Sequence, residues 1–120
     1  PVESALDAAL HLGAAAVLFN CSQPEVMGDA VRAARAVLTA AGREGPGGVQ
    51  IGVYANAFLP QRADAQANSG YTEIRVDLDP PGYLQWARGW VAAGAGIVGG
   101  CCGIGPEHII ELRRGLRSRD

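Results

Sequence analysis

The chain has 120 residues, 48% of them hydrophobic, and a formal net charge of -2. That is enough for one modest domain with a real core, taken as residues 1–120, and the composition argues against disorder. The charge offers nothing to a nucleic acid or an acidic membrane surface, and no apolar run approaches the ~20 residues that span a bilayer.

Glu3 to Leu12 has apolar residues at Ala5, Leu6, Ala9, Leu10 and Leu12, which predicts a helix capped by Ser4 and stopped by Gly13. Ala14 to Phe19 is a continuous apolar run, short enough for a strand buried on both faces. The turn Asn20-Cys21-Ser22-Gln23-Pro24 follows. Pro24 suits the first position of a second helix, where its missing N–H costs nothing. That helix reaches Ala41, with Val26, Met27, Ala30, Val31, Ala34, Val37 and Leu38 on one broad face and Gly42 as the stop.

After a polar, Gly-rich loop, Val49 to Tyr54 reads as the second strand. Ala55 to Asp79 is a long connection without a clear period, carrying Asn56, Pro60, Asn68 and Gly70; such loops in compact domains are often functional. Pro80-Pro81 opens a third helix to Ala93, with Tyr83, Leu84, Trp86, Ala87, Trp90 and Val91 as its apolar positions and the two tryptophans as core. Ala95 to Gly99 is the third strand. Pro106 opens the last helix, with Ile109, Ile110, Leu112 and Leu116 facing inward and a basic end, Arg113 to Arg119, that suits the helix dipole.

Helix and strand therefore alternate, which implies an α/β fold with a parallel sheet and right-handed crossovers. The turns after the strands then share one edge, where α/β folds keep their sites. Cys21 follows the first strand and Cys101-Cys102 the third. If both flank the second strand, the loops that carry them lie ~10 Å apart, a gap that leaning side chains close.

Three cysteines is an odd count, which a disulfide framework alone does not explain; thiols kept reduced in the cytoplasm are the simpler account. Inert buried thiols and a vicinal redox pair stay open, although the pair leaves Cys21 unexplained. The shared edge favours a single metal ion, and the last helix points its positive end back at Cys101 and Cys102, favouring thiolates. Zinc takes cysteine sulfur at ~2.3 Å, and three protein ligands leave a position for water or substrate. His11 and His108 are taken as structural.

Gly99-Gly100-Cys101-Cys102-Gly103 with Pro106-Glu107-His108-Ile109 resembles the signature of the homocysteine S-methyltransferases. Asn20-Cys21 and Val53-Tyr54-Ala55-Asn56 resemble two further motifs of that family, in the right order. The resemblance implies a (β/α)8 TIM barrel with a catalytic zinc (Zn2+) held by Cys21, Cys101 and Cys102. It implies methyl transfer from a small-molecule donor to the thiol of homocysteine, giving methionine, with no protein nucleophile. Asn20, Tyr54 and Asn56 are its candidate substrate-binding residues. Two departures stand beside the expected pocket: Ala55 where the family usually has Pro, and Ala57-Phe58 where it has Ser-Gly.

A complete barrel needs ~250 residues, so the three strands are expected to be the last three of eight. The chain also begins at Pro1 without an initiator Met, as expected of a piece of a longer enzyme. The competing expectations are a non-catalytic metal-binding or thiol-sensing α/β module and a purely structural fragment.

Overall fold

The structure is a computed structural model that describes residues 1–59 and 73–117. Its elements are α1 (Val2–His11), β1 (Ala16–Asn20), α2 (Pro24–Ala40), β2 (Gln50–Tyr54), α3 (Pro80–Ala93), β3 (Ile97–Val98) and α4 (Pro106–Leu116), with a short 3-10 turn at Val76–Leu78. The alternation is the one predicted. The strands are parallel in the order β1-β2-β3, so β2 sits between the two cysteine-bearing strands. Asn20 pairs with Tyr54 in register, and Val53 with Val98.

The helices form one row, α1 against α2, α2 against α3 and α3 against α4. Both crossovers therefore wind the same way and lay their helices on one side of the sheet. Between the layers lies the core: Ile51 and Val53 of β2, Met27, Val31, Ala34 and Leu38 of α2, and Tyr83, Leu84, Ala87 and Trp90 of α3. Tyr83 and Trp90 meet edge to face with ring centroids 5.4 Å apart. The half-buried Trp86 packs beside them, so both tryptophans serve packing as expected.

On the other face, Leu18, Gly52 and Ile97 share a row of the sheet, and Leu18 lies across Gly52, where an added Cβ would come within 2.7 Å of it. Leu18 remains exposed there. One row of helices on one side of a parallel sheet is compatible with part of a (β/α)8 barrel.

Several boundaries and faces differ from expectation. α1 begins at Val2, which places Ser4 inside its first turn rather than at the cap. Leu12 is 87% exposed because the chain turns away from the layer at Gly13, whose φ is +78°. Val26 and Val91 are exposed, since α2 and α3 bury narrower stripes than their sequences allow. Of the α4 positions expected to face inward, Leu112 is buried and Leu116 half-buried, while Ile109 and Ile110 are exposed, because the helix packs chiefly on α3. Arg113 and Arg114 are solvated in the last turn of α4 as expected. The rest of that tail from 118 onward, and Pro60, Asn68 and Gly70 of the long connection, lie outside the described residues.

Candidate metal centre

Cys21 follows β1 directly and has φ +54°, the only non-glycine residue with positive φ among those described. That left-handed conformation costs of order 1 kcal/mol or more and persists where the surroundings over-determine it. Here the Cys21 N–H donates to the carbonyl of Tyr54 at 2.8 Å, which binds the turn to the end of β2.

The next residues of the chain after β2 bridge the two cysteine loops. Asn56 N–H donates to Ser22 O at 3.1 Å, on the Cys21 side. Cys101 N–H donates to Ala55 O at 3.0 Å, and Ala57 N–H to Cys102 O at 2.9 Å, on the other side. Ala55 and Ala57 are fully buried, so the bridge sits on the core. Ala55 and Ala57, at which the resemblance of the motifs breaks, thus fall in the segment that joins the two cysteine loops.

Two further side chains brace this edge. Tyr83 is buried, and its hydroxyl donates to Gly99 O at 2.7 Å and approaches Ala55 O at 3.4 Å, the last turns of β3 and β2. Burial pushes its phenol above the ordinary value. His108 Nδ1 accepts from Gly105 N–H at 3.1 Å, while Nε2 lies 2.7 Å from Leu78 O. A carbonyl only accepts and an N–H only donates, so the ring carries its proton on Nε2. His108 thereby ties the start of α4 to the 3-10 turn, the structural part expected of it. His11 sits on exposed α1, bonded to Asp7 O at 2.8 Å.

The outcome is convergence. The Sγ atoms of Cys21, Cys101 and Cys102 all lie within 4.8 Å of one another, and those of Cys101 and Cys102 are 3.8 Å apart. Two sulfurs each ~2.3 Å from a tetrahedral zinc stand ~3.8 Å apart, so this donor set fits such an ion with small adjustments. None of the three is in a disulfide.

The thiols of Cys21 and Cys101 are shifted in opposite directions. A hydrogen bond from Cys101, and then one from the Asn56 amide, hold the Cys21 thiol below its ordinary value. Cys101 is pushed up to about 11, first because its S–H donates a hydrogen bond to the Cys21 sulfur and then by burial. Of these two thiols, Cys21 is the more readily ionised, because the donors face it.

Of the candidate substrate-binding residues, Asn56 is brought to the thiols: its Nδ2 lies 3.9 Å from Cys21 Sγ. Tyr54 ends β2 beside them, its ring lying over Gly99, where an added Cβ would come within 2.5 Å of it. Asn20 is exposed at the end of β1 and lines a cleft with Leu18, Val26 and Met27 at the outer edge of the sheet. Two polar residues of the site were missed by the sequence reading, Gln23 and Arg75. Gln23 bonds Asn56, and Arg75 bonds Gln23.

No described helix is long and apolar enough to cross a membrane. Compared with known families, residues 1–116 match the family model described as homocysteine S-methyltransferase. A comparison with curated proteins finds no match.

Proposed function

Since this chain belongs to the homocysteine S-methyltransferase family, we propose that it carries the thiol-activating part of a zinc-dependent methyl transfer to homocysteine, forming methionine. The observation that carries this reading is the convergence of the three cysteine sulfurs within 4.8 Å, from loops eighty residues apart in a 120-residue chain. Cys21, Cys101 and Cys102 would hold the zinc. Bound there, it would supply a Lewis acid that keeps a substrate thiol ionised at neutral pH.

The chain's own residues do the rest. The Ala55–Ala57 bridge fixes the separation of the cysteine loops, so little reorganisation is needed on binding. Asn56 directs a donor at Cys21 and stabilises its negative charge. Tyr54 and Asn56, beside the sulfurs, and Asn20, at the end of β1, are proposed to contact homocysteine. In the transfer, the substrate sulfur attacks the methyl carbon of a small-molecule donor. One S–C bond forms, the bond from that carbon to the donor breaks, and its electron pair leaves with the donor.

The same reading takes residues 1–120 as the carboxyl-terminal part of a (β/α)8 barrel. The single row of helices and the exposed Leu18 on the opposite sheet face support it. Free thiols suit a reducing cytoplasm.

Cobalt in place of zinc tests the proposal. The chain is expected to bind one cobalt with sulfur-to-metal absorption that shifts when homocysteine is added, and Cys102→Ser is expected to lose tight binding. Cobalt bound without any response to homocysteine would leave a metal-binding module and overturn the transferase reading.

A further inference from the structure

The contacts of Asn56 run on into a directed chain of side chains. Arg75 Nη1 donates to Gln23 Oε1 at 3.1 Å. Gln23 Nε2 donates to Asn56 Oδ1 at 3.2 Å and to Phe58 O at 2.8 Å. Asn56 Oδ1 also accepts from Phe58 N–H at 3.3 Å, which leaves its Nδ2 to face Cys21 Sγ. Asn56 is 8% exposed, so its carboxamide is largely sheltered from competing water.

The sense of this chain is fixed from its far end. A guanidinium has five N–H donors and no acceptor. Gln23 must therefore turn its oxygen to Arg75 and its NH2 to Asn56. Asn56 must in turn show its oxygen to Gln23 and its NH2 to the sulfur. Phe58 enforces the same sense independently, since its carbonyl can only accept and its N–H only donate.

Arg75 is itself held for the task. Its side chain is 13% exposed and bonded to Glu25 at 2.6 Å and to Asp77 at 2.7 Å. Its N–H donates to Ala57 O at 2.7 Å, where the returning chain pairs Ile74 with Phe58. With two carboxylates on it, Arg75 has no charge left over for an anionic ligand, and orientation is what it supplies.

We infer that Arg75 and Gln23 are positioning residues that set the orientation of the Asn56 carboxamide, so that its donor end faces the Cys21 sulfur. The inference rests on the reading of Cys21 as a zinc ligand only for its consequence. Partners one step behind a metal ligand are worth about 10- to 100-fold in metal affinity.

Gln23→Glu tests it. The new carboxylate still pairs with Arg75 but cannot donate, so Asn56 is drawn to turn its NH2 away from the sulfur. Zinc affinity, measured by competition with a chelating dye, is expected to fall by about 10- to 100-fold. Arg75→Lys, made alone, keeps a donor at Gln23 Oε1 and is expected to retain most of the parent affinity, so that the loss in Gln23→Glu is traced to the missing donor to Asn56. A metal-free measurement needs no variant: the Asn56 side-chain amide protons should show nuclear Overhauser contacts to the Cys21 β-protons. Absence of those contacts, or a Gln23→Glu chain that binds zinc like the parent, overturns the inference. A parent chain that takes up no zinc overturns the zinc reading instead, and the amide contacts still decide the orientation.

Discussion

The Cβ of Ala57 lies 2.9 Å from the place where a side chain on Gly103 would begin. Gly103 has φ +81°, and it turns the chain immediately after Cys102. Ala57 also holds the Cys102 carbonyl through its N–H. The turn that presents the cysteine pair is thus packed directly on the bridge from β2, with no room between them.

Gly103→Ala is therefore expected to be costly on two counts, a left-handed backbone and a clash with Ala57. A loss of about 1–3 kcal/mol is expected from the backbone conformation. Urea unfolding measures it, and zinc titration of the same variant should show weaker binding because Cys102 is displaced.

Tyr83→Phe leaves the packing intact and removes only the hydroxyl. The Gly99 carbonyl then loses this partner at the end of β3, at a cost of about 0.5–1.5 kcal/mol for one part-buried hydrogen bond. The urea midpoint is expected to fall with an unchanged slope, since the surface exposed on unfolding is the same.

Asp77 is held below its ordinary carboxyl value of 3.8 by the hydrogen bonds and charge of Arg75. A carboxyl with a lowered folded pKa contributes stability that is present above its unfolded value and lost as pH falls through its folded one. Stability is therefore expected to drop on acidification below about pH 4, and Asp77→Asn is expected to flatten that drop. Unfolding midpoints at a series of acid pH values provide the comparison. Asp77 is exposed, so the change is expected to be small and to shrink in high salt.

Zinc binding must displace the protons of the thiol trio. Cys101, pushed up to about 11, still holds its proton at neutral pH. Apparent zinc affinity is accordingly expected to rise with pH from neutrality toward that value and to fall in acid. A pH-independent affinity would show that Cys101 gives up no proton to the metal.

Much of this architecture was legible in the chain. Pro24, Pro80 and Pro106 each open a helix, and Gly13, Gly42 and Gly94 take the positive φ that ends one. Short apolar runs ending in Asn20-Cys21 and Gly99-Gly100-Cys101 placed both cysteine loops on one edge, because parallel crossovers bring strand ends together. The faces of α4 were less legible, since periodicity marks which residues are apolar and not which neighbours exist to cover them. Arg75 was hidden for another reason. It lies in a stretch without a period, and its partner Gln23 is 52 residues away, so only the folded chain shows that they meet. Gln23 itself looked like a turn residue before Pro24. The left-handed Cys21 also had no local signal, because a non-glycine residue takes that conformation under tertiary constraint.

The central claim is that three distant sulfurs share one metal ion. X-ray absorption at the zinc edge of the zinc-loaded chain measures this directly. Three sulfur scatterers at ~2.3 Å with one lighter neighbour are expected, and a fourth sulfur in place of the lighter atom once homocysteine is added. A first shell of nitrogen and oxygen alone, or fewer than three sulfurs, would contradict the account.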